Sequence, residues 1–363
     1  MLTGNKGEWS EIYALFKLLG DKKLHPGDNE IKKLENVVYP ILKILRNEVN
    51  GNYEYSFEDD IVVISGNEEM FRIPISKFQE KAKILLTEIK SNSGTFSIPE
   101  IEDFMQSVNC LSIKANSSAK TDITIVVYDE RTGQEPSLGF SIKSQLGNPS
   151  TLLNAGETTN FVYKIENNTL TKQDIEYINS LYLKRGEKLS RDIKSRVKAI
   201  YERNAILSFV KPQKQIFSNN LILIDSLLPQ ILASVLLQFT SSNYSSLVDL
   251  LKIIEEENPL NFDTSNKHMF YSYKIKRFLT DIALGMMPSK VWTGDYDATG
   301  GYLIIKADGE ILCYHIYNKN EFENYLVTNT KLDTASSTRH GFGEIYEKNG
   351  ELFFKLNLQI RFK

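Results

Sequence analysis

The sequence predicts a mixed α/β (α+β) fold, with a β-sheet core flanked by helices, then a helical region and a C-terminal β-rich region. Three observations carry this prediction. Residues 7–19 place apolar side chains at helical spacing, and two β-rich runs, residues 123–128 and 138–144, lie between turn residues. The apolar run at residues 221–239 is typical of a buried helix pair. The three predicted parts cover residues 1–170, 171–290 and 291–363.

The other elements of the first part follow in chain order. Residues 30–46 predict a second helix, which Pro40 would bend or divide. Residues 53–78 alternate in polarity and turn at a Ser-Gly-Asn sequence, as a β-hairpin does. Two further helices are predicted, at residues 76–91 and 98–107.

Composition narrows the class of protein. The 363 residues are 41% hydrophobic and carry a formal net charge of −3, which provides a core and excludes a general positive coat for nucleic acid. Cys110 and Cys313 are too few for a disulfide framework or a cysteine-based zinc site. Because the sequence contains no apolar run long enough for a membrane span, we expect a soluble, cytoplasmic protein without a membrane partner.

Two polar residues stand out in the β-rich runs. Asp122 precedes the first run, and the period of two places Ser141, Lys143 and Gln145 on one face with it. A carboxylate binds a hard cation such as Mg²⁺, and a neighbouring lysine can hold a phosphate or an attacking water. Together these groups suit phosphodiester hydrolysis. The alternative is a turn aspartate and a solvated lysine on an edge strand.

The first predicted helix carries two carboxylates. Glu8 and Glu11 lie one turn apart, and at least one of them borders the apolar face of the helix. They could contribute to a site, or act only as favourable negative charges in the first turn of a helix.

Several segments are similar to the HpaII family of type II restriction endonucleases, from about residue 4 to the C-terminus. They are GNKGEWSEIYALFKLLG, FSIPEIEDF, KTDITIVVYD, GFSIKSQLGNPSTLLNAGETTNF, RHGFGEIY and FFKLNLQIRF. The resemblance implies a nuclease core of the PD-(D/E)XK type, with a restriction-endonuclease-like mixed sheet flanked by helices. It also implies Mg²⁺-dependent cleavage of double-stranded DNA.

In that superfamily an Asp opens one strand, and an acidic residue, any residue and a Lys lie on the next. The resemblance assigns Asp122 to the first position and Lys143 to the last. The sequence departs from the pattern twice, with Thr121 in place of the Pro and Ser141 in place of the second acidic residue. A serine cannot supply negative charge to a metal ion, so a carboxylate must come from elsewhere.

Three glutamates could supply that carboxylate. Glu8 and Glu11 are preferred, and Glu157, in a Gly- and Thr-containing segment, remains open. Gln145 could orient a phosphate or a water, or serve as an ordinary sheet-face amide.

The resemblance further implies recognition of 5′-CCGG-3′ and a cut after the first C, which leaves short 5′ overhangs. Guanine is read by Arg or Lys and cytosine by an acceptor. Polar residues of a predicted loop at 333–343 and of one face of the last strand are the candidate DNA contacts, although a surface turn and a solvated edge strand have the same composition. The candidates are Asp333, Ser336, Ser337, Thr338, Arg339, His340, Lys355, Asn357, Gln359 and Arg361. The basic segment 183–198 could contact the DNA backbone or be a solvated helix face.

Three hypotheses therefore remain open. The first is a magnesium-dependent endonuclease cutting at CCGG; the second is a nuclease of the same fold with a different or modification-dependent target. The third, motivated by Ser141, is a DNA-binding relative without catalysis. A palindromic site can be cut by a homodimer or by one chain that cuts the strands in succession. A cytosine methyltransferase is expected as a functional partner, because the host must mask its own sites.

Overall fold

The computed structural model describes residues 1–67, 69–114, 120–167, 170–185, 188–315 and 318–363. The helices are α1 Lys6–Asp21, α2 Ile75–Ser91, α3 Pro99–Ser107, α4 Lys172–Asn179, α5 Ile193–Tyr201, α6 Gln215–Ile224, α7 Leu228–Ser241, α8 Leu247–Glu257, α9 Phe270–Leu284, α10 Lys319–Thr328 and α11 Ser337–His340. The strands are β1 Gly4–Asn5, β2 Lys23–Pro26, β3 Tyr39–Glu48, β4 Gly51–Glu58, β5 Ile61–Gly66, β6 Glu69–Pro74, β7 Thr95–Phe96, β8 Ile123–Val127, β9 Ser137–Ser144, β10 Thr151–Leu153, β11 Asn160–Glu166, β12 Tyr182–Arg185, β13 Lys188–Arg191, β14 Ile206–Pro212, β15 Gly301–Ile305, β16 Ile311–His315, β17 Thr330–Leu332, β18 Tyr346–Lys348, β19 Glu351–Asn357 and β20 Ile360–Phe362.

The chain forms two compact units, and each is assembled from separate stretches of sequence. The first unit contains residues 1–150, 283–285 and 296–325, and the second contains residues 151–282, 286–295 and 326–363. The sequence predicted three consecutive parts instead. Strands of the third predicted part are therefore divided, because β15 and β16 lie in the first unit and β17 to β20 in the second.

A nine-stranded mixed sheet is the centre of the first unit, in the order β2-β16-β15-β9-β8-β3-β4-β5-β6. The pairs β15–β9 and β16–β2 are parallel, and β8 runs antiparallel to β9. The predicted strand pair at 123–128 and 138–144 is therefore confirmed, and it lies in the middle of the sheet. The mixed α/β fold class is confirmed as well.

Helix α1 packs against α2 and against the sheet. Phe16 of α1, Phe78 of α2 and Phe104 of α3 meet edge to face, with ring centroids 5.2 to 5.9 Å apart. The hydroxyl of Ser10 on α1 donates to Ser144 Oγ on β9 at 2.8 Å. This bond and the aromatic core fix the register of α1 on the sheet, and so fix where its glutamates lie.

The predicted helix at residues 30–46 is wrong. The chain forms strand β3 there, in which Tyr39, Ile41 and Ile44 are buried and the register shifts between Ile41 and Lys43. That bulge makes the apolar spacing resemble a helix over a few residues. Pro40 is tolerated because its carbonyl accepts the N–H of Tyr128 at 2.9 Å and its missing N–H is not needed there. The predicted hairpin is present as the antiparallel pair β5–β6, to which β4 adds a third strand. The predicted helices at 76–91 and 98–107 are confirmed as α2 and α3.

The second unit contains a four-stranded sheet, β14-β11-β19-β18, a three-stranded sheet, β10-β20-β17, and the hairpin β12-β13. Helices α6 and α7 are the predicted apolar pair, and most of α7 is buried. Within the described ranges no single helix is long and apolar enough to cross a membrane; α6 and α7 meet that criterion only as a pair bent by 106°.

Candidate active site

The active-site candidates just before β8 and on β9 form one hydrogen-bonded chain. Asp122 Oδ2 accepts the hydroxyl of Ser141 at 3.1 Å and the backbone N–H of Ile142 at 2.7 Å. Lys143 Nζ donates to Ser141 Oγ at 2.9 Å. The antiparallel register, in which Asp122 N donates to Phe140 O at 2.8 Å, brings the three side chains together. Ser141 thus lies between the carboxylate and the ammonium and orients both.

Lys143 is partly enclosed by a residue that sequence reasoning missed. Tyr302 on β15 pairs in register with Ser141, and Lys143 Nζ lies 4.9 Å from the centre of its ring. Burial lowers the pKa of Lys143, while the negative charges of Asp122 and Glu11 oppose that shift. No local signal identifies Tyr302, because β15 follows β9 in the chain by more than 150 residues and pairs with it only in the fold.

Glu8 is occupied by structural contacts. It is the third residue of α1, and its carboxylate accepts the N–H of the N-cap residue Asn5 at 2.8 Å in a capping box. Its other oxygen lies 3.1 Å from Lys114 Nζ. The hydrogen bond from Asn5 is the largest cause that lowers the pKa of Glu8. These bonds leave Glu8 little capacity for another ligand.

Glu11 is in a different state, one turn further along α1. It is half-buried, and its carboxylate has no hydrogen bond or ion pair among the described residues. Burial raises the pKa of Glu11 to about 8, and the charge of Asp122 adds to the shift. The carboxyl groups of Glu11 on α1 and Asp122 before β8 repel each other, and such a pair favours a shared cation.

This arrangement fits a divalent cation. No group of three or more His, Cys, Asp or Glu side chains in the described ranges has the geometry of a metal site. Mg²⁺, however, commonly takes only one or two protein carboxylates and completes its shell with water and phosphate oxygens. The desolvated carboxylate of Glu11, which forms no hydrogen bond or ion pair with the described residues, lies beside Asp122 and meets that requirement. Both side chains supply the oxygen ligands that Mg²⁺ prefers.

The raised pKa of Glu11 predicts a pH dependence of stability in metal-free protein. A carboxyl group whose pKa rises on folding stabilises the fold below its ordinary value of 4.5, and the contribution is lost as the pH approaches about 8. In EDTA, the free energy of unfolding of the wild type should therefore fall over this range relative to that of Glu11→Gln. Parallel denaturant titrations of the two proteins between pH 5 and 8 measure the difference, and superimposable pH profiles would contradict the prediction.

Two lysines near this site were also missed. Lys114 pairs with Glu8, and its pKa is raised by that bond and by the charges of Glu11 and Asp122. Burial, followed by the charge of Lys143, lowers the pKa of Lys120. The two lysines border residues 115–119, which lie outside the described residues. Lys120 stands two residues before Asp122, a signal that sequence reasoning could have used.

Other predicted residues have different surroundings. The side chain of Gln145 is exposed just after β9, and its backbone N–H donates to Ile305 O at 2.8 Å. Glu157 belongs to the second unit, where it begins a 3₁₀ turn and lies 3.4 Å from Lys214 Nζ.

The segment 333–343 of the second unit includes the short helix α11 rather than only the predicted loop. Two arginines hold its backbone, of which Arg191 is partly buried and Arg196 is fully buried. Arg191 donates to the carbonyls of Ser337 and Phe342 at 3.1 and 2.8 Å. Arg196 donates to the carbonyl of Gly343 at 2.7 Å. Gly343 has a φ of 81°, and a side chain at this position would collide with Ile193.

The segment 333–343 exposes some of its candidates and buries others. The side chains of Ser336, Thr338 and Arg339 are exposed, whereas that of Ser337 is buried. His340 is partly exposed, and its carbonyl accepts Asn160 Nδ2 at 2.8 Å.

The expectation of one continuous strand face at residues 355–361 is wrong. Strand β19 ends at Asn357 and β20 begins at Ile360, because Leu358 N donates to Thr159 O at 2.9 Å and interrupts the pairing. The Asn357 amide is buried and donates to Asn160 Oδ1 at 2.7 Å, which removes it from any surface that a ligand could reach.

Three other candidates at the C-terminus keep partly exposed side chains: Lys355, Gln359 and Arg361. Arg361 lies 3.3 Å from Asp333 Oδ2, so these two candidates form an ion pair. In the basic segment 183–198, residues 186 and 187 lie outside the described residues. The rest of that segment contains the hairpin β12-β13 and part of α5, so it is not one helix.

A mixed sheet flanked by helices, with a lysine on β9 and a carboxylate just before the adjacent strand β8, is consistent with the restriction-endonuclease-like class of proteins. The comparison with known families agrees. The HpaII restriction endonuclease family model matches residues 5–362. The chain is 53% identical to the type II restriction enzyme HpaII of Haemophilus parainfluenzae over 364 aligned residues, which cover 99% of this chain and 98% of the relative.

The protein therefore belongs to the HpaII restriction endonuclease family. Its membership confirms the enzyme class predicted from the sequence, a type II site-specific endonuclease. No solved structure matches the chain.

Proposed function

We propose that the protein makes Mg²⁺-dependent double-strand cuts in DNA at 5′-CCGG-3′, after the first C, leaving short 5′ overhangs. The observation that carries the proposal is the Asp122–Ser141–Lys143 chain with the unpaired carboxylate of Glu11 beside it. The relative from Haemophilus parainfluenzae is a type II restriction enzyme, which supports DNA as the substrate.

In this proposal Asp122 and Glu11 hold the magnesium ion, and Glu11 takes the role that Ser141 cannot fill. When bound, Mg²⁺ supplies positive charge that stabilises the negative charge developing on the phosphate. Glu8 is left out of the metal site because Asn5 and Lys114 already use its oxygens.

In this proposal the ammonium group of Lys143 is the protein's own positive charge at the reacting phosphate. A lysine ammonium has three donors, and one of them bonds to Ser141 Oγ at 2.9 Å. The other two can hold a phosphate oxygen and the attacking water, and Tyr302 limits the directions that the side chain can take. Ser141 acts as a positioning residue, because its hydroxyl accepts from Lys143 and donates to Asp122.

Arg339 is the proposed reader of guanine. Its exposed guanidinium projects from a backbone that Arg191 and Arg196 hold in place. Arg donates two hydrogen bonds to guanine O6 and N7 in the major groove. Ser336 and Thr338 offer hydroxyls to the same DNA, through phosphate or base-edge contacts.

The remaining parts of the proposal concern partners. A palindromic site presents the same bases to two copies of the chain, so we propose a homodimer that cuts both strands in one complex. A cytosine methyltransferase that protects the host sites, and a cytoplasmic location, complete the proposed system.

Digestion of supercoiled plasmid tests the function. With Mg²⁺ we expect fragments that end at CCGG, and with excess EDTA we expect none. A homodimer converts supercoiled DNA directly to linear DNA, whereas successive cuts accumulate nicked circles. Cleavage of methylated plasmid alone would favour the modification-dependent alternative. Binding without cleavage would favour a DNA-binding relative.

A further inference from the structure

The four-stranded sheet of the second unit has one covered face and one open face. Phe161 and Tyr163 of β11 and Phe354 of β19 are fully buried on the covered face. On the open face Val162 pairs with Lys211 of β14 on one side and with Lys355 of β19 on the other. We call the open side formed by Lys211, Val162 and Lys355 the lysine face. A cleft of about 490 Å³ lies over it.

The two lysines of the lysine face differ from a neighbouring lysine of the same sheet in their ion pairing. Further along the sheet, Lys164 is neutralised by Glu351, with 2.6 Å between Nζ and Oε1. Neither Lys211 nor Lys355 forms an ion pair with any of the described residues. Burial lowers the pKa of Lys355, and nearby Glu157 and Lys214 act on it in opposite directions. An ammonium that is partly desolvated and forms no ion pair with a carboxylate favours an external anion.

The aromatic residues at this face pack against Lys355 and are not available to stack on nucleic-acid bases. The rings of Tyr346 and Phe353 stack with centroids 5.7 Å apart, and Lys355 Nζ lies 5.1 Å above the Tyr346 ring. Because the lysine covers that ring, an unpaired base could not stack on it without displacing the ammonium. The face therefore suits phosphates better than bases.

The lysine face also borders the segment 333–343. Asn160, the first residue of β11, is fully buried, and its Nδ2 donates to Gln213 Oε1 at 2.9 Å and to His340 O at 2.8 Å. The backbone N–H of Gly343 donates to Lys355 O at 2.9 Å. The segment that carries Arg339 is thus bonded directly to the end of the sheet where the two lysines lie.

We propose that the lysine face binds backbone phosphates of duplex DNA beside the sequence read by the segment 333–343. The proposal rests on the proposed function in taking DNA as the ligand and the segment 333–343 as the part that reads the sequence. Lys211 and Lys355 lie two strands apart, about 10 Å, and their long side chains can adjust to neighbouring phosphates. Such contacts add affinity without adding sequence preference.

Salt-dependent binding tests the proposal. Fluorescence anisotropy in EDTA measures affinity for a CCGG duplex and for a scrambled duplex, using wild type, Lys211→Ala, Lys355→Gln and the double variant. We expect the slope of log affinity against log salt to fall by about 1 for each lysine removed, equally on both duplexes. Lys355→Gln keeps part of the aliphatic stem over Tyr346, and thermal melting checks that it folds.

Two further variants test whether the change in salt dependence is specific to Lys211 and Lys355. Lys164→Ala, on the same sheet but already paired with Glu351, should leave the slope unchanged. Arg339→Ala should reduce the preference for CCGG instead. An unchanged slope in the double variant would overturn the lysine face. That outcome is separate from a failure of the proposed target, because the scrambled duplex reports backbone binding even if the enzyme reads another sequence.

Discussion

Replacement of Lys143 by methionine should reduce the rate of DNA cleavage by about 10²- to 10³-fold, the loss found when a donor to developing negative charge is removed. Methionine is unbranched, one atom shorter than lysine, and can still pack on Tyr302, so the change removes the charge with little effect on the fold. Single-turnover cleavage with Mg²⁺ measures the effect. Binding to a duplex in EDTA should stay close to that of the wild type.

Lys17→Ala is the matched control for Lys143→Met. Lys17 lies on α1 of the same unit, and its ammonium is already paired with Asp21 at 2.5 Å. This variant should cleave at the wild-type rate. If Lys143→Met retains the wild-type rate as well, the lysine on β9 is not the catalytic cation, and Lys120 becomes the next residue to test.

Glu11→Gln should cause a loss of similar size, about 10²-fold or more, because a metal ligand stabilises transition-state charge by several kcal/mol. The amide keeps the shape of the side chain but cannot supply negative charge. A second measurement is independent of catalysis: Mg²⁺ should raise the melting temperature of wild type above its value in EDTA. In Glu11→Gln that rise should be largely lost.

Glu8→Gln separates the two glutamates of α1. Glutamine can still accept the N–H of Asn5 in the capping box, so only the ion pair with Lys114 is lost. An exposed ion pair contributes about 0–1 kcal/mol, and we expect cleavage and the Mg²⁺-induced shift in melting temperature to persist. If Glu8→Gln lost both while Glu11→Gln kept them, the assignment would be reversed. Loss of both in Glu157→Gln would point to the second unit instead.

Sequence patterns were sufficient to predict the positions of the central strands β8 and β9. Turn residues and β-rich composition located β8 and β9 to within one residue at each end. The period of two then placed Asp122, Ser141 and Lys143 on one face, where their side chains are hydrogen-bonded. Helical spacing similarly placed the glutamates of α1 near its apolar face. These features are local, so short stretches of sequence determine them.

Local sequence patterns gave wrong predictions in two places. In one, the spacing of apolar residues fitted both a helix and a strand, and in the other, tertiary contacts buried a polar side chain. Residues 30–46 fit a helix until the bulge of β3 is known, and the bulge depends on pairing with β8. Asn357 fits the alternation of polar and apolar residues along the predicted strand. Strand β19 nevertheless ends at this residue, and its side-chain amide is buried. Neither the pairing nor the break has a signal within its own segment.

The sequence by itself determined the fold class, the two central strands with Asp122 and Lys143, and the absence of a second acidic residue at Ser141. Only the tertiary structure distinguished Glu11 from Glu8, because the distinction depends on which carboxylate is bonded and which is desolvated beside Asp122. It also brought Tyr302 onto Lys143 and joined the lysine face to the segment 333–343. These relations connect residues far apart in the chain, and packing and electrostatics set them only after the strands have paired.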